Sequence, residues 1–135
     1  MHFGHAEFTK VNYPVIYVEV KDDLDLMPLL KKSLKEIKNY KTIGLSYSVQ
    51  HKQDINEIIK FYESNGKKVL LSEKLGHAAY PGHVVGCEYS GLKTIQNKVD
   101  CFLIIGNNFH SLGAALAVPA KKVFLRYRVF VSVLP

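Results

Sequence analysis

Cys87 is the residue of this sequence whose type and surroundings best suit chemistry. It lies between Gly86 and Glu88, and Gly82 stands a few residues before it. Glycines permit unusual backbone geometry and the close approach of a ligand. A thiolate on such a loop can bind a soft metal or an iron–sulfur cluster, or act as a nucleophile. One cysteine is too few for a cluster, and free cysteine is commonly buried. The residues alone therefore leave an idle thiol as the competing interpretation.

The remaining cysteine and the histidines give weaker signals. Cys101 stands inside a continuous apolar stretch and is predicted to be a core residue. Four histidines fall on predicted loops: His51, His77, His83 and His110. None belongs to a His-Glu-x-x-His motif, and a lone loop histidine is usually a surface or capping residue. His83 is singled out because it stands four residues before Cys87.

Several familiar catalytic motifs are missing from the sequence. There is no Gly-x-Gly-x-x-Gly after a strand, no Gly-Lys-Ser/Thr phosphate loop and no Gly-x-Ser-x-Gly elbow. The Cys-x-x-x-Cys-x-x-Cys pattern of radical chemistry is also absent. No residue is assigned as catalytic. By pattern alone, the chain is an α/β domain with a loop cysteine.

The elements that must position these residues alternate between β-type runs and helix-period segments. Strands are predicted over residues 14–20, 42–47, 68–71, 99–105 and 123–125, and helices over 26–37, 55–62 and 90–96. After the strand at 99–105, residues 106–108 turn into the segment 109–117. The prediction is a three-layer α/β fold with a mostly parallel sheet of four or five strands. Loops 50–51, 76–87 and 106–110 all follow strands, so we expect them to converge at the carboxyl edge of the sheet.

Composition describes a single globular domain. The chain has 135 residues, of which 47% are hydrophobic, and a formal charge of +6 from 18 Lys and Arg against 12 Asp and Glu. The lysines are scattered in pairs, which is typical of a solvated surface rather than a nucleic-acid site. No apolar run reaches the roughly 18 residues of a membrane span, and the N-terminus does not resemble a signal peptide. We therefore expect no membrane contact and a cytoplasmic location.

Several segments, taken together, resemble one enzyme family. They are Gly4-His5, residues 42–51, Gly82-His83-Val84-Val85-Gly86-Cys87-Glu88-Tyr89-Ser90, residues 99–106, and Phe109-His110-Ser111-Leu112-Gly113 with the small and apolar residues up to Ala117. In order and spacing they are similar to the archaeal and eukaryotic aminocarboxypropyl-histidine synthases of diphthamide synthesis. The resemblance extends to about Val123.

The resemblance implies three related α/β domains that each give one cysteine to a 4Fe-4S cluster. It further implies that S-adenosylmethionine is cleaved to a 3-amino-3-carboxypropyl radical, which adds to a histidine of translation elongation factor 2. Cys87 corresponds to the cluster cysteine of the second domain. His51, His83 and His110 are expected cofactor-binding neighbours. A homo-oligomer is also compatible with the resemblance.

The sequence departs from the family at several points. His83 stands where Gln is usual, Ser111 where Pro is usual, and Ala6 where Ser is usual. We expect residues 1–12 to be a remnant of a preceding domain, 13–125 a single α/β domain and 126–135 an atypical tail, as in a truncated or frame-shifted product.

Two of the three cluster cysteines have no counterpart, so a fragment that binds no cofactor and is inactive alone is expected. The alternative is a stand-alone α/β binding module for a nucleotide or a protein partner.

Overall fold

The structure is a computed structural model that describes residues 1–7 and 10–126. Near the amino terminus, β1 (His2–Phe3) pairs in parallel with β2 (Tyr17–Val18) to form a small two-stranded sheet. The backbone N–H of His2 donates to Ile16 O, and that of Gly4 donates to Val18 O, each at 2.8 Å. Residues 1–7 therefore form an arm that is fastened to the segment before the first helix.

The main sheet contains four parallel strands among the described residues. They are β3 (Thr42–Tyr47), β4 (Lys68–Leu71), β5 (Cys101–Ile105) and β6 (Lys122–Arg126), in the spatial order β4-β3-β5-β6. The chain leaves β3 toward one side to form β4 and then returns to the other side to form β5. The strand order thus reverses between β3 and β5, where open α/β sheets place their ligands, at the carboxyl ends of the strands.

Helices cover both faces of this sheet. They are α1 (Met27–Glu36), α2 (Ile55–Ser64), α3 (Ser90–Ile95) and α4 (Asn108–Ala117), with 3₁₀ helices at Val49–Asp54 and Gln96–Lys98. Pro28 occupies the first turn of α1, where its missing N–H costs nothing. Gly66 follows α2 with a φ of +77°, the left-handed conformation that commonly ends a helix.

The alternation of side chains along the strands creates two cores. Leu45, Leu103 and Phe124 point toward α1 and α2, whereas Phe102, Ile104 and neighbouring side chains pack with α3 and α4. Both sets are nearly inaccessible to solvent. The predicted three-layer α/β fold with a parallel sheet is confirmed.

Two predicted strands are shorter than expected. Of residues 14–20, only Tyr17–Val18 is extended in a sheet, because its partner is the two-residue β1 rather than the main sheet. The strand predicted from Val99 begins at Cys101. Asp100 instead uses its carboxylate to accept the N–H groups of Lys41 and Thr42 at 2.8 Å, which joins the start of β5 to the start of β3.

The predicted tail, residues 126–135, lies outside the described residues from position 127 onward. Within the part that the structure describes, no helix is long and apolar enough to cross a membrane.

Candidate functional site

A cavity of about 330 Å³ lies at the carboxyl ends of β3 and β5, where the strand order reverses. Its walls come from four separate segments and one further side chain: residues 4–6, Asp22, 48–51, 83–86, and 106, 107 and 110. The predicted convergence of the loops after the strands is therefore confirmed for the residues around positions 50, 85 and 107. Residues 4–6, which belong to the amino-terminal arm, form an additional wall of the cavity.

The loop after β4 reaches this cavity because it runs back along the end of β3. Tyr47 N–H donates to Gly82 O, and Val84 N–H donates to Tyr47 O, both at 3.0 Å. These bonds form a parallel bridge between Tyr47 and His83 beyond the end of the strand. Gly82 has a φ of +75°, and a Cβ there would lie 3.2 Å from Leu45 O. A glycine is therefore needed where the loop meets the sheet.

His83 is buried in this arrangement. Its Nδ1 accepts the backbone N–H of Ala79 at 3.1 Å, which leaves the proton of the neutral ring on Nε2. Tyr47 and Tyr80 flank the ring, with centroids 6.2 and 6.1 Å away. Burial lowers the pKa of His83 to about 4, so the imidazole is uncharged at neutral pH.

His51 and His110 line the same cavity. His51 is buried, and its Nδ1 has no hydrogen-bond partner among the described residues. Asn107 N–H lies 3.4 Å from Nδ1 of His110, and Oδ1 of Asn107 caps α4 by accepting from Phe109 N–H and His110 N–H. Burial lowers the pKa of both histidines, so the neutral form of these two rings is favoured at pH 7.

The other loop histidine, His77, lies elsewhere. It lines a second cavity of about 650 Å³ together with Lys10, Glu19 and Lys74. His5 is the histidine that sequence reasoning missed, because it lines the first cavity from the amino-terminal arm. The Nε2 of Gln50 donates to Gly4 O at 2.8 Å and holds that arm at the cavity.

Cys87 is exposed and directly follows Gly86, a residue of the cavity wall. The thiol itself is not part of the cavity lining. Glu88 N–H donates to Val85 O at 3.0 Å, so the chain turns tightly around the cysteine. Tyr89 then anchors the loop to α4, because its hydroxyl donates to Phe109 O at 3.2 Å.

Cys101 has the opposite environment. It is fully buried in β5, and burial raises the pKa of its thiol to about 12. A thiol that does not ionise is a poor metal ligand. Its predicted role as a core residue is confirmed.

The described part of the chain lacks the full set of donors that a metal ion or a cluster requires. Across residues 1–7 and 10–126, no group of three or more His, Cys, Asp or Glu side chains is placed to hold a metal ion. A cluster needs several thiolate or imidazole ligands. The described residues therefore do not complete a cluster site.

A charged network that sequence analysis did not predict lies at the second cavity, which Glu19 and Tyr80 line. Glu19 accepts from Lys52 Nζ at 3.1 Å and from the Tyr80 hydroxyl at 2.6 Å, while Lys52 Nζ sits 3.7 Å from the centre of the Tyr80 ring. The network ties the segment after β2 to the loop that carries His83.

Comparisons with known proteins agree on one relationship. The family model for diphthamide synthesis proteins matches residues 1–133, which extends beyond Val123, where the sequence resemblance was expected to end. The chain is 31% identical over 124 residues to the 2-(3-amino-3-carboxypropyl)histidine synthase of Pyrococcus horikoshii, an alignment that covers 90% of this chain and 35% of the relative.

Two solved structures of proteins from this family are also similar to the chain. The crystal structure of Dph2 from Pyrococcus horikoshii with a 4Fe-4S cluster superposes with a TM-score of 0.88 at 30% identity, covering 99% of this chain and 40% of that chain. A second crystal structure of Dph2 from this organism gives a TM-score of 0.87 at 29% identity and the same coverage. The chain thus spans well under half the length of these relatives.

Proposed function

Because this chain belongs to the diphthamide synthesis protein family, we propose that it forms part of the enzyme for the first step of diphthamide synthesis. That step transfers a 3-amino-3-carboxypropyl group from S-adenosylmethionine to a histidine of translation elongation factor 2. The chain spans 35% of the curated relative, so it supplies part of the machinery and is inactive alone. The protein partner is elongation factor 2, which also implies a cytoplasmic location.

The observation that carries this proposal is the position of Cys87. It is an exposed thiol on a tight turn, adjacent to a cavity wall at the point where the strand order reverses. Such a thiol can approach a cluster that other segments also ligate, whereas Cys101 cannot. We assign to Cys87 the role of one thiolate ligand of a 4Fe-4S cluster. The chemistry supplied by the bound cluster is the reductive cleavage of S-adenosylmethionine.

The cavity is the proposed contact surface for S-adenosylmethionine. Its volume of about 330 Å³ lies at the lower end of the usual range for small-molecule sites. His51, His83 and His110 are neutral there because burial lowers the pKa of each. Neutral rings can donate N–H groups to a carboxylate without repelling the positive sulfonium. These histidines therefore suit a ligand that carries both groups.

A chimeric enzyme tests the proposal directly. This chain replaces the matching segment of the Pyrococcus horikoshii synthase, and transfer of label from S-adenosylmethionine to elongation factor 2 is measured. We expect the chimera to be active. Cys87→Ala should abolish transfer and lower the cluster absorption, because one of the thiolates is lost.

Cys101→Ala is the matched control, because its thiol is buried in the sheet. It should keep the cluster and most of the activity. Circular dichroism detects misfolding of a variant, and iron content detects loss of the cluster. Full activity and full iron content in the Cys87→Ala chimera would contradict the assignment. The alternative of a stand-alone binding module has no comparable support, because the family match covers nearly the whole chain.

A further inference from the structure

The carboxylate of Glu19 joins segments of the chain that are far apart in sequence. Its Oε1 accepts the Tyr80 hydroxyl at 2.6 Å, and its Oε2 accepts Nζ of Lys52 at 3.1 Å. Because Nζ of Lys52 also lies 3.7 Å from the centre of the Tyr80 ring, each side chain of this charged network contacts the other two. A network of this kind stabilises more than an isolated surface ion pair does.

Glu19 stands beside the amino-terminal arm. It directly follows β2, where Val18 O accepts the N–H of Gly4 at 2.8 Å. That bond holds the arm, whose residues 4–6 form one wall of the first cavity. The contacts that fix Glu19 therefore also fix the strand with which the arm pairs.

Lys52 and Tyr80 stand beside two other walls of the first cavity. Lys52 directly follows His51, which lines the cavity from the 3₁₀ helix at Val49–Asp54. The backbone O of Tyr80 accepts the N–H of His83 at 3.1 Å, and His83 lines the cavity from the loop after β4. The charged network thus connects three walls of the cavity, although its own three side chains are not part of the lining.

We propose that Glu19 is a positioning residue for the ligand of the first cavity, because its carboxylate holds these three walls in place. Hydrogen bonds to an ionised carboxylate are shorter and stronger than neutral ones, which agrees with the 2.6 Å contact to Tyr80. Without the carboxylate, Lys52 still contacts the Tyr80 ring, but the segment after β2 loses both bonds. The proposal rests on the proposed function, because it takes S-adenosylmethionine as the ligand.

The cavity needs such a device because its polar side chains come from separate segments. His5 belongs to the arm, His51 to the 3₁₀ helix and His83 to the loop after β4. A ligand that contacts all three binds tightly only if the walls are held in place before it arrives, since ordering them on binding costs free energy. Loss of Glu19 should therefore weaken binding without removing a group that touches the ligand.

Hydrogen exchange of the chain alone tests the connection between the walls. The reporters are the backbone N–H groups of Gly4 in the arm, His51 in the 3₁₀ helix and His83 in the loop, which donate to Val18 O, Ser48 O and Tyr80 O, respectively. Glu19→Ala should accelerate the exchange of all three several-fold, because each wall opens more often. Glu19→Gln should restore part of the protection, since glutamine keeps an acceptor for the Tyr80 hydroxyl.

Asp23→Ala is the matched control. Asp23 forms an isolated ion pair with Lys21 at 3.5 Å, and its side chain is 90% exposed, so the three reporters should not change. Unchanged exchange in Glu19→Ala would overturn the proposal, and so would acceleration at a single wall. Acceleration by the same factor in β5 would also overturn it, because the effect would then be global destabilisation.

The chimeric enzyme gives the second readout. Glu19→Ala should raise the KM for S-adenosylmethionine about tenfold and leave kcat within about twofold, because Glu19 positions the walls and does not touch the reacting atoms. A fall in kcat with an unchanged KM would overturn the positioning role. A wild-type chimera that transfers nothing would contradict the proposed function, whereas the exchange result would stand, so the two failures are distinguishable.

Discussion

The backbone N–H of Ala79 donates to Nδ1 of His83 at 3.1 Å and thereby fixes the tautomer of a buried imidazole at the cavity wall. Protonation of the ring would turn this acceptor into a donor that faces another donor. The loop that leads to Cys87 is therefore organised around a neutral histidine.

The first prediction concerns pH. Burial lowers the pKa of His83 from its ordinary value of 6.5 to about 4 in the folded state. The unfolded chain therefore binds this proton first as the pH falls, and the free energy of unfolding decreases between about pH 6.5 and pH 4. The shift corresponds to roughly 3 kcal/mol. Urea unfolding at several pH values should show this loss.

His83→Gln should reduce this pH dependence, since glutamine retains a donor and an acceptor but does not titrate in this range. The remaining dependence comes from His51 and His110, whose pKa values burial also lowers. The control is His2→Gln at the exposed end of the arm. A His83→Gln variant that loses as much stability as the wild type on acidification would contradict the assignment of the effect to this ring.

The second prediction concerns the two thiols. Cys87 is exposed, whereas Cys101 is buried with a pKa raised to about 12. An aromatic disulfide reagent at neutral pH should therefore titrate one thiol in the native chain and both in denaturant. Cys87→Ser should abolish the native reaction. Rapid reaction of the native Cys87→Ser variant would mean that β5 opens readily.

The sequence predicted the main sheet well because its strands are continuous apolar runs, such as Cys101–Ile105, that are buried on both faces. The strand predicted at residues 14–20 is too long, since only Tyr17–Val18 pairs with another strand in the structure. That partner is the two-residue strand β1. A two-residue strand is too short to show the alternation of apolar and polar residues that predicts a strand, so the sequence pattern does not reveal it. Its formation depends on contacts in the folded structure.

The positions of cavity residues could be predicted from the sequence only where these residues lie on loops that follow parallel strands. Loops that follow parallel strands meet at one edge, which placed His51 and His110 together. The arm with His5 was not predicted, because it is held by the bond from Gln50 to Gly4 O, between residues far apart in sequence. No periodicity or motif reports a single contact of that kind.

The third prediction concerns close packing inside the sheet. A Cβ on Gly44 would lie 2.5 Å from Cδ1 and Cε1 of Phe102, which is fully buried. Gly44→Ala should therefore lower the free energy of unfolding by about 1–3 kcal/mol through overpacking. Gly86→Ala is the control, since a Cβ there meets nothing within 4 Å. Equal unfolding midpoints for the two variants would show that the ring of Phe102 can move aside.

The fourth prediction concerns the amino-terminal arm. Gln50 Nε2 donates to Gly4 O at 2.8 Å, and both residues line the cavity. Gln50→Ala removes a hydrogen bond of about 0.5–1.5 kcal/mol, so the arm should open more often. Hydrogen exchange of the Gly4 N–H, which donates to Val18 O, should accelerate several-fold. In the chimeric enzyme, binding of S-adenosylmethionine should weaken in parallel. Gln96→Ala, in the 3₁₀ helix after α3, should change neither quantity. Unchanged exchange in Gln50→Ala would mean that the pairing of β1 with β2 holds the arm without this side chain.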